Sequence, residues 1–293
     1  MPGGVELSNL RKVFWPDEGL TKGDLVGYFD AVAPFILPAL RNRPLTVIRF
    51  PDGVKGGSFY QKDTPKYAPS WVRTISLRAE SARRQVRYTL CNDQRTLRWL
   101  ANQACIELHP WLSRADRLER PDHLVFDLDP PQDAFEQSVQ VALVLKEVLD
   151  EIGLEGLPKT SGGKGVHIYV PLQRRYDYPV VRFAALAIGH RVEERMPDEA
   201  TAEFRIAKRG GRVFLDPGRN VPGAHVVAPY SPRARPGATV SFPVPWEDLG
   251  QVKPGGFTIR NVPGLLTKSD PWKKLMPRPQ VLPREVLAED SSR

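Results

Sequence analysis

At 293 residues the chain has room for one large mixed domain or two packed lobes, and its 41% hydrophobic and 26% charged residues exclude a wholly disordered protein. No apolar stretch runs the ~18–20 residues of a bilayer span before a charge or proline breaks it, and no signal-like block opens the chain, so a soluble, unexported protein without a membrane partner is expected. Two cysteines, Cys91 and Cys105, supply neither a disulfide framework nor a CxxC zinc site, whereas Lys+Arg 42 against Asp+Glu 34, a net +8, favours an anionic partner such as nucleic acid or nucleotide phosphate.

Strands and helices alternate along the chain without internal repeats. Thr21 and Asp24 have capping-box spacing, and Leu25, Phe29, Val32, Ile36 and Leu40 follow at helical intervals, with Pro34 and Pro38 as interruptions. Residues 45–50 and 57–61 read as short strands about the turn Pro51-Asp52-Gly53. Leu97, Leu100, Ala101, Ala104 and Cys105 give a second helical face, which makes Cys105 core rather than reactive, and Cys91 takes the same default. Leu124 to Asp129 reads as a strand ended by Pro130-Pro131. Asp133 is then the expected cap of a helix carrying Phe135, Val139, Ala142, Leu145, Leu149 and Ile152, which Gly153 stops.

Residues 155–160 and 166–170 read as strands flanking the loop Ser161-Gly162-Gly163-Lys164-Gly165, a helix is expected from near Pro179, and Arg212 to Asp216 is a further strand. The Pro-rich segment from Pro229 to Pro245 is expected to lie extended over a surface, and residues after 276 to form a loose tail.

Asp127 and Asp129 stand two positions apart on one strand, so their carboxylates leave the same face while Leu128 faces the other way. Two acids this close repel unless cations neutralise them, and hard ions such as Mg²⁺ or Mn²⁺ take oxygen ligands. Asp216, ending the strand Val213-Phe214-Leu215-Asp216, would complete a two-metal site if that strand lies beside the first. A capping or sheet-edge role competes evenly with the metal reading for an Asp-x-Asp pair taken alone.

The loop of Ser161, Gly162, Gly163, Lys164 and Gly165 offers amides, a hydroxyl and an ammonium suited to a phosphate chain, with a purely structural turn as the equal alternative. It lacks Walker A spacing, so P-loop hydrolysis does not follow. A Ser161 nucleophile with His167 as base lacks an elbow motif and an orienting acid.

Asp127-Leu128-Asp129-Pro130, Thr160 to His167, and Asp216 together resemble the archaeo-eukaryotic primase superfamily, and more closely the polymerase domain of bacterial ligase D. The similarity extends over Leu7-Ser8-Asn9 with Lys12, Thr21-Lys22, Arg49 to Gly53, Phe59-Tyr60-Gln61-Lys62, Ile106 to His109 and Ala228 to Ser231. The resemblance implies a mixed α/β (α+β) primase-polymerase fold over residues 1–293: an N-terminal lobe at 1–118, an RRM-like catalytic lobe at 119–250 and a C-terminal extension at 251–293, with DNA held in a cleft between the lobes. It implies a template-directed nucleotidyltransferase, a monomer, that fills gaps and extends ends in double-strand break repair by non-homologous end joining and prefers ribonucleotides.

Asp127, Asp129 and Asp216 would then ligate two divalent ions, Mn or Mg, while Ser161, the loop glycines and Lys164 hold a nucleoside triphosphate. By the same carry-over Asn9, His109 and Arg233 face the incoming nucleotide; each read singly is a turn residue, a core histidine and a solvated arginine. Lys12 and Lys22 resemble the lysines that hold the 5′-phosphate beyond a gap, and Phe59 and Tyr60 the aromatic pair that stacks on template bases; without the family these are surface lysines and core aromatics. DNA with a gap or overhang and a 5′-phosphate is the implied partner. The implied place is the prokaryotic cytoplasm, at the nucleoid. No ligase lysine motif or nuclease module is evident, so a separate ATP-dependent DNA ligase is expected, with Ku as an admissible partner.

One departure is visible: in this family the third aspartate usually precedes an aromatic or similar residue, whereas Asp216 precedes Pro217-Gly218, then Arg219-Asn220, so a different local backbone is expected there. The alternatives are a noncatalytic basic DNA-end-bridging module and an Asp-x-Asp glycosyltransferase, the latter disfavoured by the basic balance.

Overall fold

A computed structural model describes residues 4–79, 84–267 and 269–288. Two compact units are interleaved along the chain: the first takes residues 1–116, 225–241 and 255–270, the second 117–224, 242–254 and 271–293.

The first unit begins with a short hairpin, Val13–Trp15 (β1) and Leu20–Thr21 (β2), that leads into the helix Lys22–Leu40 (α1). The capping box forms as the spacing predicts, Thr21 Oγ1 accepting from Asp24 N at 3.3 Å and Asp24 Oδ2 from Thr21 N at 2.7 Å. Leu25, Phe29, Val32, Ile36 and Leu40 are all fully buried, and the helix continues through Pro34 and Pro38. Each proline removes one amide donor, but burial of the apolar face on both sides carries the helix across. With neither proline breaking it, α1 is long and apolar enough to cross a bilayer, contrary to the expectation from the sequence; its apolar face instead lies in the core of the first unit.

The next strands are Pro44–Arg49 (β3), Phe59–Gln61 (β4), Thr74–Ala79 (β5) and Arg84–Leu90 (β6), followed by the helix Gln94–Asn102 (α2) and the strand Cys105–Pro110 (β7). β3 pairs antiparallel with β4, β6 and β7, so the hairpin about Pro51–Gly53 forms as predicted. Gly53 has φ +78°, and a Cβ there would meet the Phe14 and Val13 carbonyls at 2.9 Å. The second helical face ends earlier than its spacing suggests. Ala104 turns at φ +61°, and Cys105 opens β7 rather than closing α2. Both cysteines are still buried and free, and burial pushes the Cys105 thiol up to about 12, so the inert reading holds.

The second unit runs His123–Asp129 (β8), Phe135–Glu151 (α3), Leu157–Thr160 (β9), Val166–Pro171 (β10), Tyr178–Arg195 (α4), Ala200–Thr201 (β11) and Val213–Asp216 (β12). Its sheet order is β11-β12-β8-β10-β9. Without the short edge strand β11, this is the fourth, first, third and second strand of a βαββαβ unit, the RRM-like arrangement expected. The periodicity of 2 then divides the sheet. Leu124, Phe126, Leu128, Val166, Ile168, Val170, Val213 and Leu215 face the core built with α3 and α4, which leaves Asp127, Asp129, His167 and Asp216 on the opposite face.

Three local expectations are corrected. Asp133 is not the cap of α3: it turns at φ +57°, and Ala134 holds the cap position without a side-chain bond. The Pro-rich segment is core rather than a surface strap, with Tyr230, Ser231, Ala238 and Ser241 fully buried. Several of its non-proline amides find backbone partners, Val240 N to Phe257 O at 2.8 Å in the first unit and Val244 N to Pro158 O at 3.0 Å in the second. Nor is the stretch after 276 loose where it is described. Gln280 N donates to Pro171 O at 2.9 Å, and Leu282 with Val286, from the helix Arg284–Ala288, joins the core of the second unit. Residues 289–293 of that stretch lie outside the described residues. In the first unit a short helix, Val262–Leu266, buries both of its named ends.

Candidate active site

The register of the second sheet lines up four polar side chains on its open face. Asp216 pairs with Asp127, Asp127 with His167, and His167 with Lys159, one residue from each of β12, β8, β10 and β9. Asp129 stands two residues beyond Asp127 on the same face. Asp127, Asp129 and Asp216 therefore share one face of the sheet, with Asp216 directly across from Asp127.

Lys159 is fully buried, and its Nζ lies 2.9 Å from His167 Nδ1. If Lys159 is an ammonium it only donates, so Nδ1 accepts and the ring proton sits on Nε2, 3.2 Å from Asp127 Oδ1. Burial pushes the Asp127 carboxyl up, but His167 and the Arg219 guanidinium outweigh it and hold the group well below the usual carboxylate range. Asp216 goes the other way: burial raises it, and Arg219 offsets that only in part.

The Pro217-Gly218 departure has a structural consequence. β12 runs straight into a 3₁₀ turn at Pro217–Arg219, capped by Asp216 Oδ1, which accepts from Gly218 N at 2.8 Å. A Cβ on residue 218 would lie 2.9 Å from that oxygen, so glycine permits the cap. The turn brings Arg219 Nε back to Asp127 Oδ2 at 2.8 Å and Asp216 Oδ2 at 3.2 Å. Asn220 then fastens the turn to β8, its Oδ1 accepting from Val125 N at 2.9 Å and its Nδ2 donating to Val125 O at 2.8 Å.

The glycine loop after β9 presses on the same strand. A Cβ at Gly165 would lie 2.2 Å from Leu128 O, so only glycine allows this approach. Ser161 Oγ shapes the loop by accepting from Gly163 N at 3.1 Å and Gly165 N at 3.2 Å, and Gly162 turns at φ +67°. Lys164 folds back to Asp129 Oδ1 at 2.9 Å and to Pro130 O at 2.8 Å, while Arg209 Nη1 lies 3.7 Å from Asp129 Oδ2.

Three carboxylates on neighbouring strands are a hard-oxygen donor set that fits a divalent cation. Among the described residues no group of three or more His, Cys, Asp or Glu side chains forms a ready metal cage. The acids meet Arg219 and Lys164 instead, and these cations mark where the site accepts positive charge.

The remaining candidates lie in the first unit. His109 Nε2 and Arg233 Nε reach Glu107 Oε2 at 3.1 and 3.0 Å, and Ala234 N donates to Glu107 Oε1 at 3.1 Å. Burial raises the Glu107 carboxyl, but His109, Arg233 and the Ala234 amide bring it down to about 2. His225 stands edge-on to His109 at 5.3 Å and beside Tyr60 at 6.2 Å. Phe59 and Tyr60 are exposed rather than core, and the Arg49 guanidinium lies 5.4 Å from the Phe59 ring centre. Asn9 turns at φ +53°, its carbonyl accepting from Lys12 N at 2.9 Å. Lys12 pairs with Asp52 at 2.6 Å, and the buried Lys22 donates to Ser8 O at 2.7 Å. Burial, then Lys12 and Arg49, lower the Lys22 ammonium pKa.

Glu107, Lys159 and Arg219 carried no role in the sequence reading, and His167 was set aside for want of an acid partner. For Glu107, Lys159 and His167 the position along a strand marks the face each side chain takes but not its neighbours across the sheet, and Arg219 lies in a turn whose direction no such pattern gives.

The LigD primase-polymerase domain profile matches residues 21–272, and the chain belongs to that family. It is a nucleotidyltransferase of the primase-polymerase class. It is 34% identical to the bifunctional non-homologous end joining protein LigD of Bacillus subtilis, the match covering 88% of this chain and 42% of that protein. It is also 34% identical to the multifunctional LigD of Pseudomonas aeruginosa, covering 92% of this chain and 32% of that protein. The chain thus spans about a third to two fifths of these relatives. Among solved structures, the polymerase domain of Mycobacterium tuberculosis ligase D in complex with DNA aligns at TM-score 0.84 and 30% identity, over 91% of this chain and 95% of that one. Family membership sets the glycosyltransferase alternative aside.

Proposed function

We propose that this chain adds nucleotides to DNA ends and fills gaps during double-strand break repair by non-homologous end joining, template-directed and with a preference for ribonucleotides. One observation carries the reading: Asp127, Asp129 and Asp216 share the open face of one sheet with the Ser161–Gly165 loop alongside. Asp127, Asp129 and Asp216 are the residues that would hold two divalent ions, Mn or Mg. When bound, such ions lower the pKa of a primer hydroxyl and stabilise a leaving pyrophosphate.

The chain's own groups supply the rest. Lys164, released from Asp129, offers a point charge to the triphosphate, and the glycine loop lets backbone approach it closely. His167, held by Lys159 with its proton on Nε2, orients Asp127. In the first unit His109, Arg233 and Asn9 are assigned to the incoming nucleotide. The exposed Phe59 and Tyr60 are assigned to stacking on template bases, a contact tolerant of any sequence. Lys12 and Lys22 are assigned to a downstream 5′-phosphate. Residues 1–293 act as one catalytic domain on gapped or overhanging DNA in the cytoplasm at the nucleoid, with a ligase and Ku as partners. The names of the relatives and the DNA complex of the solved neighbour support this assignment.

The test is extension of a primer on a 5′-phosphorylated gapped duplex, with ribonucleotides against deoxyribonucleotides in Mg²⁺ and in Mn²⁺. Incorporation that Asp127→Ala or Asp129→Ala abolishes, with DNA binding kept, is expected. Wild-type extension by either variant rejects the site, and DNA binding without any incorporation by the native chain leaves the end-bridging reading in its place.

A further inference from the structure

Each of the two register-paired acids has divided its oxygens in the same way. Asp127 Oδ1 is held by His167 and Asp216 Oδ1 by the Gly218 amide, both fixed by the sheet and its turn. The other oxygen of each, Oδ2, meets the same guanidinium nitrogen of Arg219, at 2.8 and 3.2 Å. A cation held by these two acids would compete with Arg219 for them. The arginine can yield them without disturbing the core, because its side chain keeps 40% of its surface exposed while those of Asp127 and Asp216 keep 15% and 14%.

We propose that Arg219 is a resident counter-cation that must leave Asp127 and Asp216 before a divalent ion can bind them, so that an arginine-out equilibrium sets the metal affinity of this chain. The proposal rests on the reading above that these aspartates hold metal. Two acids facing each other across paired strands repel when unneutralised, and a guanidinium bridging both stabilises the metal-free state. Anything that binds only the arginine-out state has its apparent affinity reduced by the fraction of molecules in that state. The device depends on local sequence: Pro217 and Gly218 form the turn, Asp216 caps it and Asn220 anchors it to β8, which together aim residue 219 at the acids. Lys164 on Asp129 is a neighbouring cation, but it reaches one carboxylate and bridges no pair.

The experiment is Mn²⁺ binding to the full chain without nucleotide or DNA, read from the free-ion electron paramagnetic resonance signal, for wild type, Arg219→Gln and Asp127→Asn. Arg219→Gln is expected to bind Mn²⁺ roughly tenfold tighter, and Asp127→Asn to lose that binding. Equal or weaker binding by Arg219→Gln, with wild-type binding still sensitive to Asp127→Asn, overturns the role of Arg219 and leaves the metal site standing. Binding indifferent to Asp127→Asn, or absent from wild type and Arg219→Gln alike, overturns both. If Arg219→Gln does not fold, wild type alone decides. Its Arg219 Nε–H nuclear magnetic resonance signal should leave its hydrogen-bonded position as Mg²⁺ is titrated, and a signal unmoved at saturating Mg²⁺ rejects the proposal.

Discussion

The two units each gather carboxylates and cations, and they balance the charge in opposite ways. In the first, a single acid, Glu107, is 6% exposed and is shared by His109 and by an Arg233 that is itself 15% exposed. In the second, the close partners of the three acids are cations nearer to solvent, Arg219 at 40% and Lys164 at 46% exposed, while Arg209, 16% exposed, stands off from Asp129 at 3.7 Å. A buried partner cannot be exchanged without leaving an uncompensated charge, which costs several kcal/mol. A half-exposed partner returns to water cheaply. The first cluster is therefore built to keep its pairing and hold its side chains in place, and the second to trade its cations for others.

Removing an acid from the exchangeable cluster should have its largest effect on chemistry, with a loss of stability no greater than at Glu107. Asp127→Ala is expected to lower nucleotide incorporation by at least about a thousandfold, since several kcal/mol of transition-state stabilisation depend on the ions it would hold. Its urea midpoint should fall by no more than that of Glu107→Gln, because a carboxyl held low by His167 and Arg219 is lost but the half-exposed Arg219 returns to water. A midpoint that collapses along with activity would place Asp127 in the permanent class and erase the contrast.

Glu107→Gln should invert that pattern, costing about 3 kcal/mol of stability near neutral pH. The folded carboxyl lies near 2, below its ordinary value of 4.5. The charged pair thus stabilises the fold fully above the unfolded pKa, and the contribution is lost as pH falls from there toward the folded value. The gap between wild type and Glu107→Gln in urea midpoint should accordingly close over that acid range. A constant gap would mean that the side chain matters for shape rather than for charge.

The sequence carried much of this architecture. Alternation along Leu124–Asp129 and Val213–Asp216 placed each aspartate on a face, and the Ser161–Gly165 loop stood out by composition. The neighbours of those residues were not legible, because register across a sheet is set by pairing between distant segments. Lys159 and His167 look like lone polar residues within apolar strands, and only pairing of β9 and β10 with β8 makes them a relay to Asp127. Arg219 needed a 3₁₀ turn that Pro217-Gly218 hints at without giving its direction. The Pro-rich stretch misled for a related reason: its composition suggests an extended surface strap, whereas several of its remaining amides find backbone partners in both units.

Lys159 tests whether the relay belongs to the permanent class. Its Nζ stands 2.9 Å from His167 Nδ1 in a fully buried position, where an ammonium would fix the tautomer. Lys159→Met should lower turnover between about 10- and 100-fold, the usual cost of losing the group that orients a ligating or ligand-holding histidine. Stability should hold or rise, because a buried charge is replaced by a chain of similar volume. The His167 ring nitrogens should report a mixture of tautomers by ¹⁵N resonance, a change that a merely structural lysine would not produce.

The smallest effect should come from Lys12, the cation of the first unit that most resembles the exchangeable ones. It is half-exposed and paired only at the surface with Asp52, itself 73% exposed, whereas Lys22 is buried against the Ser8 carbonyl. Lys12→Ala together with Lys22→Ala should weaken binding to a 5′-phosphorylated gap by about fivefold relative to the same gap without phosphate. Asp52→Asn should move the ratio the other way, because it frees Lys12 from a competing anion without removing any cation. Opposite signs for these two changes would extend the exchange principle to a site that holds no acid cluster. Equal losses on both gaps, with Asp52→Asn silent, would confine it to the second unit.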